Sequence, residues 1–172
     1  MAKILVVPGL RNSGPGHWQT WFEDLLPDTR RVEQDDWERT CLSDWAQRVV
    51  EEIDAAPEPL WLVAHSFGCL AAVTAGFVRP RRIRGALLVA PADPRRFRQP
   101  AVLLEERLAF PSLVVASSND PWVKAEVAEH WAGQWGSDHV NIGEAGHINV
   151  DSGHGPWPQG LTLFERVRGG AA

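Results

Sequence analysis

Short apolar runs alternate with stretches of helical period along almost the whole chain, and this alternation restricts the fold more than any other feature. Lys3–Val7 (KILVV), Leu60–His65 (LWLVAH), Ile83–Ala90 (IRGALLVA) and Ser112–Ser117 (SLVVAS) are apolar, mostly rich in branched side chains, and bounded by turn residues or charge. Runs of that length and makeup read as buried strands. Arg30–Glu33 is a weaker strand candidate, and Asp138–Ile142 a last short strand. Between them lie segments of helical period. His17–Leu26 groups Trp18, Trp21, Phe22, Leu25 and Leu26 on one face and stops at Pro27, and Leu42–Ala55 does the same with Trp45, Val49, Val50 and Ile53. Ser66–Val78, Trp122–Trp135 and Gln159–Val167 complete the set. Strand–helix units repeated about six times predict an α/β fold: three layers, doubly wound, with a mainly parallel sheet of about six strands.

Length and composition narrow the class. At roughly 150 residues per domain, 172 residues form one domain over 1–172. With 44% apolar and 23% charged residues, the chain is neither a long disordered segment nor a disulfide scaffold. The 17 basic and 22 acidic residues leave a net charge of −5, which gives no general attraction to nucleic acid or to an anionic membrane. Cys41 and Cys69 are too few for a disulfide framework and lack zinc-site spacing, so a reduced, cytoplasmic location is expected. The opening MAKILVVPGL is too short in its apolar part for a signal peptide, and no run approaches the length of a membrane helix. There is no internal repeat or linker, and only Gly169–Ala172 reads as a frayed tail.

Chemistry concentrates where strand Leu60–His65 runs into a small-residue helix through Ala64–His65–Ser66–Phe67–Gly68. A nucleophile elbow has this strand–turn–helix context and the pattern G-x-S-x-G, here with Ala64 in the first small position. The turn is tight enough that only small side chains fit two residues either side of the serine. The serine hydroxyl then stands above the sheet edge at a helix N-terminus, where developing negative charge is favoured. Taken alone, Ser66 could equally cap a helix.

Two later segments complete the pattern. Asp120 follows strand Ser112–Ser117 in SSNDP, and His147 lies in a glycine-flanked loop after the last strand. Both therefore belong on the same rim as Ser66. The order Ser66, Asp120, His147 is that of this architecture. Ser66 would attack a carbonyl carbon, His147 would take and return the proton, and Asp120 would orient the imidazole. Taken singly, Asp120 could open a turn and His147 could be an ordinary loop histidine. Asp93 is the second candidate for the acid. His65 is expected to point away from Ser66 as a structural residue, His17 to cap or pack, and His154 to lack the right position. The Pro8–Gly9–Leu10 loop lies beside the elbow, so the backbone N–H groups of Leu10 and Phe67 are candidates for an oxyanion hole.

VPGL near the start, AHSFG, SSNDP and above all GHINVDSGHGPWPQG make the chain resemble the small serine hydrolases related to retinoblastoma-binding protein nine. The likeness runs from Lys3 to Leu163. It implies a minimal alpha/beta hydrolase of about six strands in the order 2-1-3-4-5-6, without a large cap domain, and Ser66, Asp120 and His147 as the triad. Family members of the human type act on amino-acid esters and amides with hydrophobic side chains. The L-x-C-x-E motif behind the family's name is missing here, so no such protein partner is implied.

The expected reaction is hydrolysis of a small carboxylic ester, amide or thioester through an acyl-enzyme. The alternative is a catalytically silent protein-binding module on the same fold. Trp122 and Trp157 flank the acid and histidine segments, and at least one is expected to line an apolar substrate pocket. Pro91–Pro111, with little periodicity, is a candidate lid. The Arg79–Arg84 and Arg95–Arg98 clusters read as solvated faces. His147, Asp151 and His154 have the spacing of one helical face, but Gly146, Gly153, Gly155 and Pro156 argue against a helix there, so no metal and no cofactor are assigned.

Overall fold

The computed structural model describes residues 3–169. Six strands form one sheet: β1 (Ile4–Val7), β2 (Thr29–Arg31), β3 (Leu60–His65), β4 (Ile83–Val89), β5 (Ser112–Ala116) and β6 (Asp138–Asn141). Their order is β2-β1-β3-β4-β5-β6, and every neighbouring pair is parallel. Five helices connect or follow them: α1 (Trp18–Leu25), α2 (Leu42–Ala55), α3 (Phe67–Val78), α4 (Ala125–Trp135) and α5 (Pro158–Gly169). This is a minimal alpha/beta hydrolase fold without a cap domain. Gly169 closes α5, and the rest of the expected frayed tail lies outside the described residues.

The two-residue period of the strands builds the three layers. Leu60, Leu62 and Ala64 of β3 join a core with α2, α3 and α4, including Trp45, Leu70 and Trp131. Trp61 and Val63, on the opposite face, join α1 and α5 through Trp18, Phe22 and Phe164. Strands buried on both faces need continuous apolar sequence, which β1 and β3 supply. Burying each large side chain contributes about 1.5–3 kcal/mol. Among the described residues no helix is long and apolar enough to cross a membrane.

Two local departures have clear causes. The expected helix over Trp122–Trp135 starts only at Ala125, because the Asp120 carboxylate takes the N–H groups of Trp122 and Val123 and leaves Lys124 extended. Pro91–Pro111 is not structureless: it holds two 3₁₀ turns, Pro94–Phe97 and Ala101–Leu104. Leu104 and Phe110 anchor it in the core, and Phe97 packs edge-on against Phe67 at 5.1 Å. Asp54 neutralises Arg79 through paired hydrogen bonds of 2.8 and 2.9 Å.

The chain leaves β1 toward β2 on one side and returns to β3 on the other. The carboxyl ends of β1 and β3 therefore flank the reversal of strand order, where open parallel sheets leave a crevice.

Candidate active site

The turn after β3 is built from steric necessity. Ser66 has φ 53° and ψ −124°, a conformation that costs a non-glycine residue about 1–3 kcal/mol. Gly68 allows it: a Cβ there would stand 2.4 Å from the carbonyl oxygens of both Val7 and Pro8. Ala64, fully buried, is the small residue on the strand side. The strain lifts the Ser66 hydroxyl into a cleft of about 480 Å³ at the strand ends.

Ser66, His147 and Asp120 meet in this cleft. The Ser66 hydroxyl donates to His147 Nε2 over 2.9 Å, and His147 Nδ1–H donates to Asp120 Oδ2 over 2.8 Å. The Asp120 side chain is 1% exposed and that of His147 10%. Its other oxygen, Oδ1, accepts from the Trp122 and Val123 N–H groups at 2.8 and 3.3 Å. The carboxylate is thus oriented from both sides. Such a line can carry a proton from hydroxyl to ring while the carboxylate holds one tautomer.

Leu10 and Gly9 line the cleft beside Ser66. Among the described residues neither the Leu10 nor the Phe67 backbone N–H has a hydrogen-bond partner. Phe67 opens α3, where such donors are left over by the helix itself.

The remaining candidates fall elsewhere. Asp93 lines the cleft but caps the 3₁₀ turn Pro94–Phe97 by accepting from the Arg95 N–H, while His147 pairs with Asp120. His154 pairs with Ser152, and Asp151 lies on the cleft wall. His17 caps α1 by accepting the Gln19 N–H, and burial, aided by Arg31, His147 and His154, pushes its pKa down to about 3. Burial likewise holds His65 well below the usual histidine range, with His17 and His147 adding to it. Burial pushes the Cys69 thiol beside the elbow up, which leaves it an inert filler.

The two tryptophans divide. Trp122 lines the cleft and is 59% exposed, with the Arg96 guanidinium 5.9 Å from its ring centroid and hydrogen-bonded to its carbonyl oxygen. Trp157 is not a cleft residue: it is 4% exposed and packs edge-on against Trp18 at 5.1 Å. The helix that follows it seats the indole on the sheet, and Gly160 is there because a Cβ would stand 2.1 Å from that ring.

Three residues with no functional role in the sequence reading support the site. Asn119 Oδ1 accepts the Gly146 N–H at 2.7 Å and so joins the Asp120 loop to the His147 loop. Its place in SSNDP, next to Asp120, was the available signal. Arg96 and Phe97 form a wall of the cleft, so the Arg95–Arg98 cluster is not simply the solvated face expected of it: Arg96 turns to Trp122 at the cleft.

The family model for serine hydrolases matches residues 4–166. The chain belongs to the serine hydrolase family. It is therefore a hydrolase by family. A solved structure described as a YdeN-like hydrolase from Pectobacterium atrosepticum is 37% identical, with a TM-score of 0.93, covering 99% of this chain and 92% of that one. The ydeN gene product from B. subtilis is 21% identical, with a TM-score of 0.79, covering 98% and 100%. Est1E from Butyrivibrio proteoclasticus, solved with ferulic acid, shares the fold at 14% identity and a TM-score of 0.72, covering 97% of this chain and 86% of that one. No curated protein matches the chain.

Proposed function

We propose that this serine hydrolase cleaves a small carboxylic ester, or a related amide or thioester, through an acyl-enzyme on Ser66. The observation that carries it is the continuous line from the Ser66 hydroxyl through His147 to the buried Asp120 carboxylate.

Ser66 Oγ attacks the carbonyl carbon while His147 Nε2 takes its proton. The carbonyl oxygen becomes an oxyanion and accepts from the Leu10 and Phe67 N–H groups, which have no other partner to leave among the described residues. Each such donor is worth about 10²–10³ in rate. Collapse of the tetrahedral species breaks the bond to the leaving group, which departs with the proton from His147. Water then attacks the acyl-enzyme, and His147 takes a water proton. Breakdown releases the carboxylic acid and returns a proton to Ser66. Asp120 keeps its charge throughout and steadies the imidazolium. A cleft of about 480 Å³ suits a small acyl substrate, and Leu10, Phe97 and Trp122 offer its apolar surface.

A fluorophosphonate probe tests the nucleophile. Wild-type protein labels at Ser66, located by mass spectrometry, and Ser66→Ala does not. A panel of p-nitrophenyl esters and aminoacyl amides, compared by kcat/KM, then ranks the leaving groups. Folded wild-type protein that neither labels nor turns over any of these substrates overturns the proposal.

A further inference from the structure

The loop that carries His147 has no strand or helix to stiffen it. Instead, four consecutive residues are each held by a side chain from another element. Ser117 Oγ accepts the Ala145 N–H at 3.0 Å, and Asn119 Oδ1 accepts the Gly146 N–H at 2.7 Å. His65 Nε2 lies 2.9 Å from the His147 carbonyl oxygen, and Trp18 Nε1–H donates to the Ile148 carbonyl oxygen at 2.8 Å. The backbone at Ile148 needs such restraint. This buried, β-branched residue has φ 49°, which is strained for any residue other than glycine.

From this we infer that His65 is a positioning residue of the Ser66 reaction, its Nε2–H holding the His147 carbonyl so that the imidazole stays between Asp120 and Ser66. The inference rests on the chemistry proposed above for Ser66.

Three observations support the role. A carbonyl oxygen can only accept, so the 2.9 Å contact places a proton on His65 Nε2. The His65 ring also packs on the His147 ring, with centroids 4.9 Å apart, so one side chain restrains both the backbone and the imidazole of the same residue. The His65 ring is itself fixed: His17 meets it edge-on at 4.9 Å, Trp18 stands 6.0 Å away, and only 5% of the residue is exposed. His65 ends the central strand β3 and directly precedes Ser66. The bond therefore ties the base to the rigid element that carries the nucleophile, across 82 residues of chain. Proton transfer depends on that spacing, and a misplacement of about 1 Å can cost about 10² in rate.

The test compares His65→Leu and His65→Phe, which lack the donor, with His65→Gln, whose amide N–H can reach the same oxygen. On the best p-nitrophenyl ester, the first two are expected to lose about 10- to 100-fold in kcat, with KM changed by no more than about threefold. His65→Gln recovers most of the loss. The low-field proton resonance of His147 Nδ1–H is sharp in wild type and His65→Gln, and broadened or lost in the donor-less variants. Thermal melts show which variants fold. If His65→Leu does not, His65→Phe, which keeps an aromatic ring between His17 and His147, makes the same comparison. Donor-less variants with wild-type kcat overturn the inference, as does a His65→Gln variant as slow as His65→Leu. Both outcomes presuppose a wild-type protein that turns over ester. An inert wild type instead defeats the Ser66 chemistry.

Discussion

Gly9 faces Ser66 so closely that a Cβ on Gly9 would stand 2.9 Å from Ser66 Cβ and 3.0 Å from the His65 carbonyl oxygen. The atoms in the way belong to the elbow itself, which is held by β3 and α3 and has no room to retreat. Gly9→Ala should therefore displace the loop that presents the Leu10 N–H. A fall in kcat of about 10²–10³, the worth of one oxyanion donor, is expected with the circular dichroism spectrum unchanged. Steady-state kinetics of a folded Gly9→Ala variant with full kcat would remove the Leu10 N–H from the proposed mechanism.

Asp120→Asn separates orientation from folding. The amide oxygen can replace Oδ1 and keep the Trp122 and Val123 N–H groups satisfied. At the Oδ2 position the amide group offers N–H donors and cannot accept from His147 Nδ1. The imidazole then loses its tautomer and its counter-charge. The expected fall in kcat is about 10³–10⁴, with little change in melting temperature. A variant within tenfold (roughly) of wild type would point to another acid, with Asp93 the nearest candidate on the cleft wall.

The strain at Ser66 can be measured by comparing two inactive variants. Ser66→Ala and Ser66→Gly both lose the hydroxyl bond to His147, but only glycine relaxes at φ 53°. Relief of about 1–3 kcal/mol is offset by about 0.4–1 kcal/mol from the freer unfolded chain. Ser66→Gly should therefore exceed Ser66→Ala in stability by roughly 1 kcal/mol in urea denaturation. Equal midpoints would mean that the elbow stores no such strain.

His17 makes stability depend on pH. Its pKa is about 3 in the folded protein because of burial first, then Arg31, His147 and His154. The unfolded side chain takes a proton near pH 6.5, so the unfolded state binds more protons below that value. The stabilisation is complete above about pH 6.5 and is lost as pH falls toward 3, at up to about 1.4 kcal/mol per pH unit. Asparagine can still cap α1 but does not titrate. His17→Asn should lose less stability than wild type between about pH 7 and pH 5, read as the difference between urea midpoints at the two values. Parallel losses in the two proteins would rule out this linkage.

The parts of the fold that depend on neighbours in sequence were legible in advance. Leu42–Ala55 and Leu60–His65 have the expected boundaries, because the period of their apolar residues is strong and both ends are marked. The start of α4 is not legible in the same way, because a carboxylate that also holds His147 takes the N–H groups of Trp122 and Val123. Trp157 lies in the core and not in the cleft; an indole beside a histidine loop looks the same in sequence in either place.

The amino-acid sequence by itself determined the alternation of strands and helices, the tight turn at Ser66, and which three side chains end up on one rim. Each follows from period, side-chain size or chain order, and these act locally. Only the tertiary structure decided that His65 turns to the His147 carbonyl, that Arg96 and Phe97 wall the cleft while Trp157 leaves it, and that Asn119 joins two loops. Those contacts join residues brought together by the packing of the sheet and its crossovers. Their energies are set by distance and burial, which the order of residues along the chain does not specify.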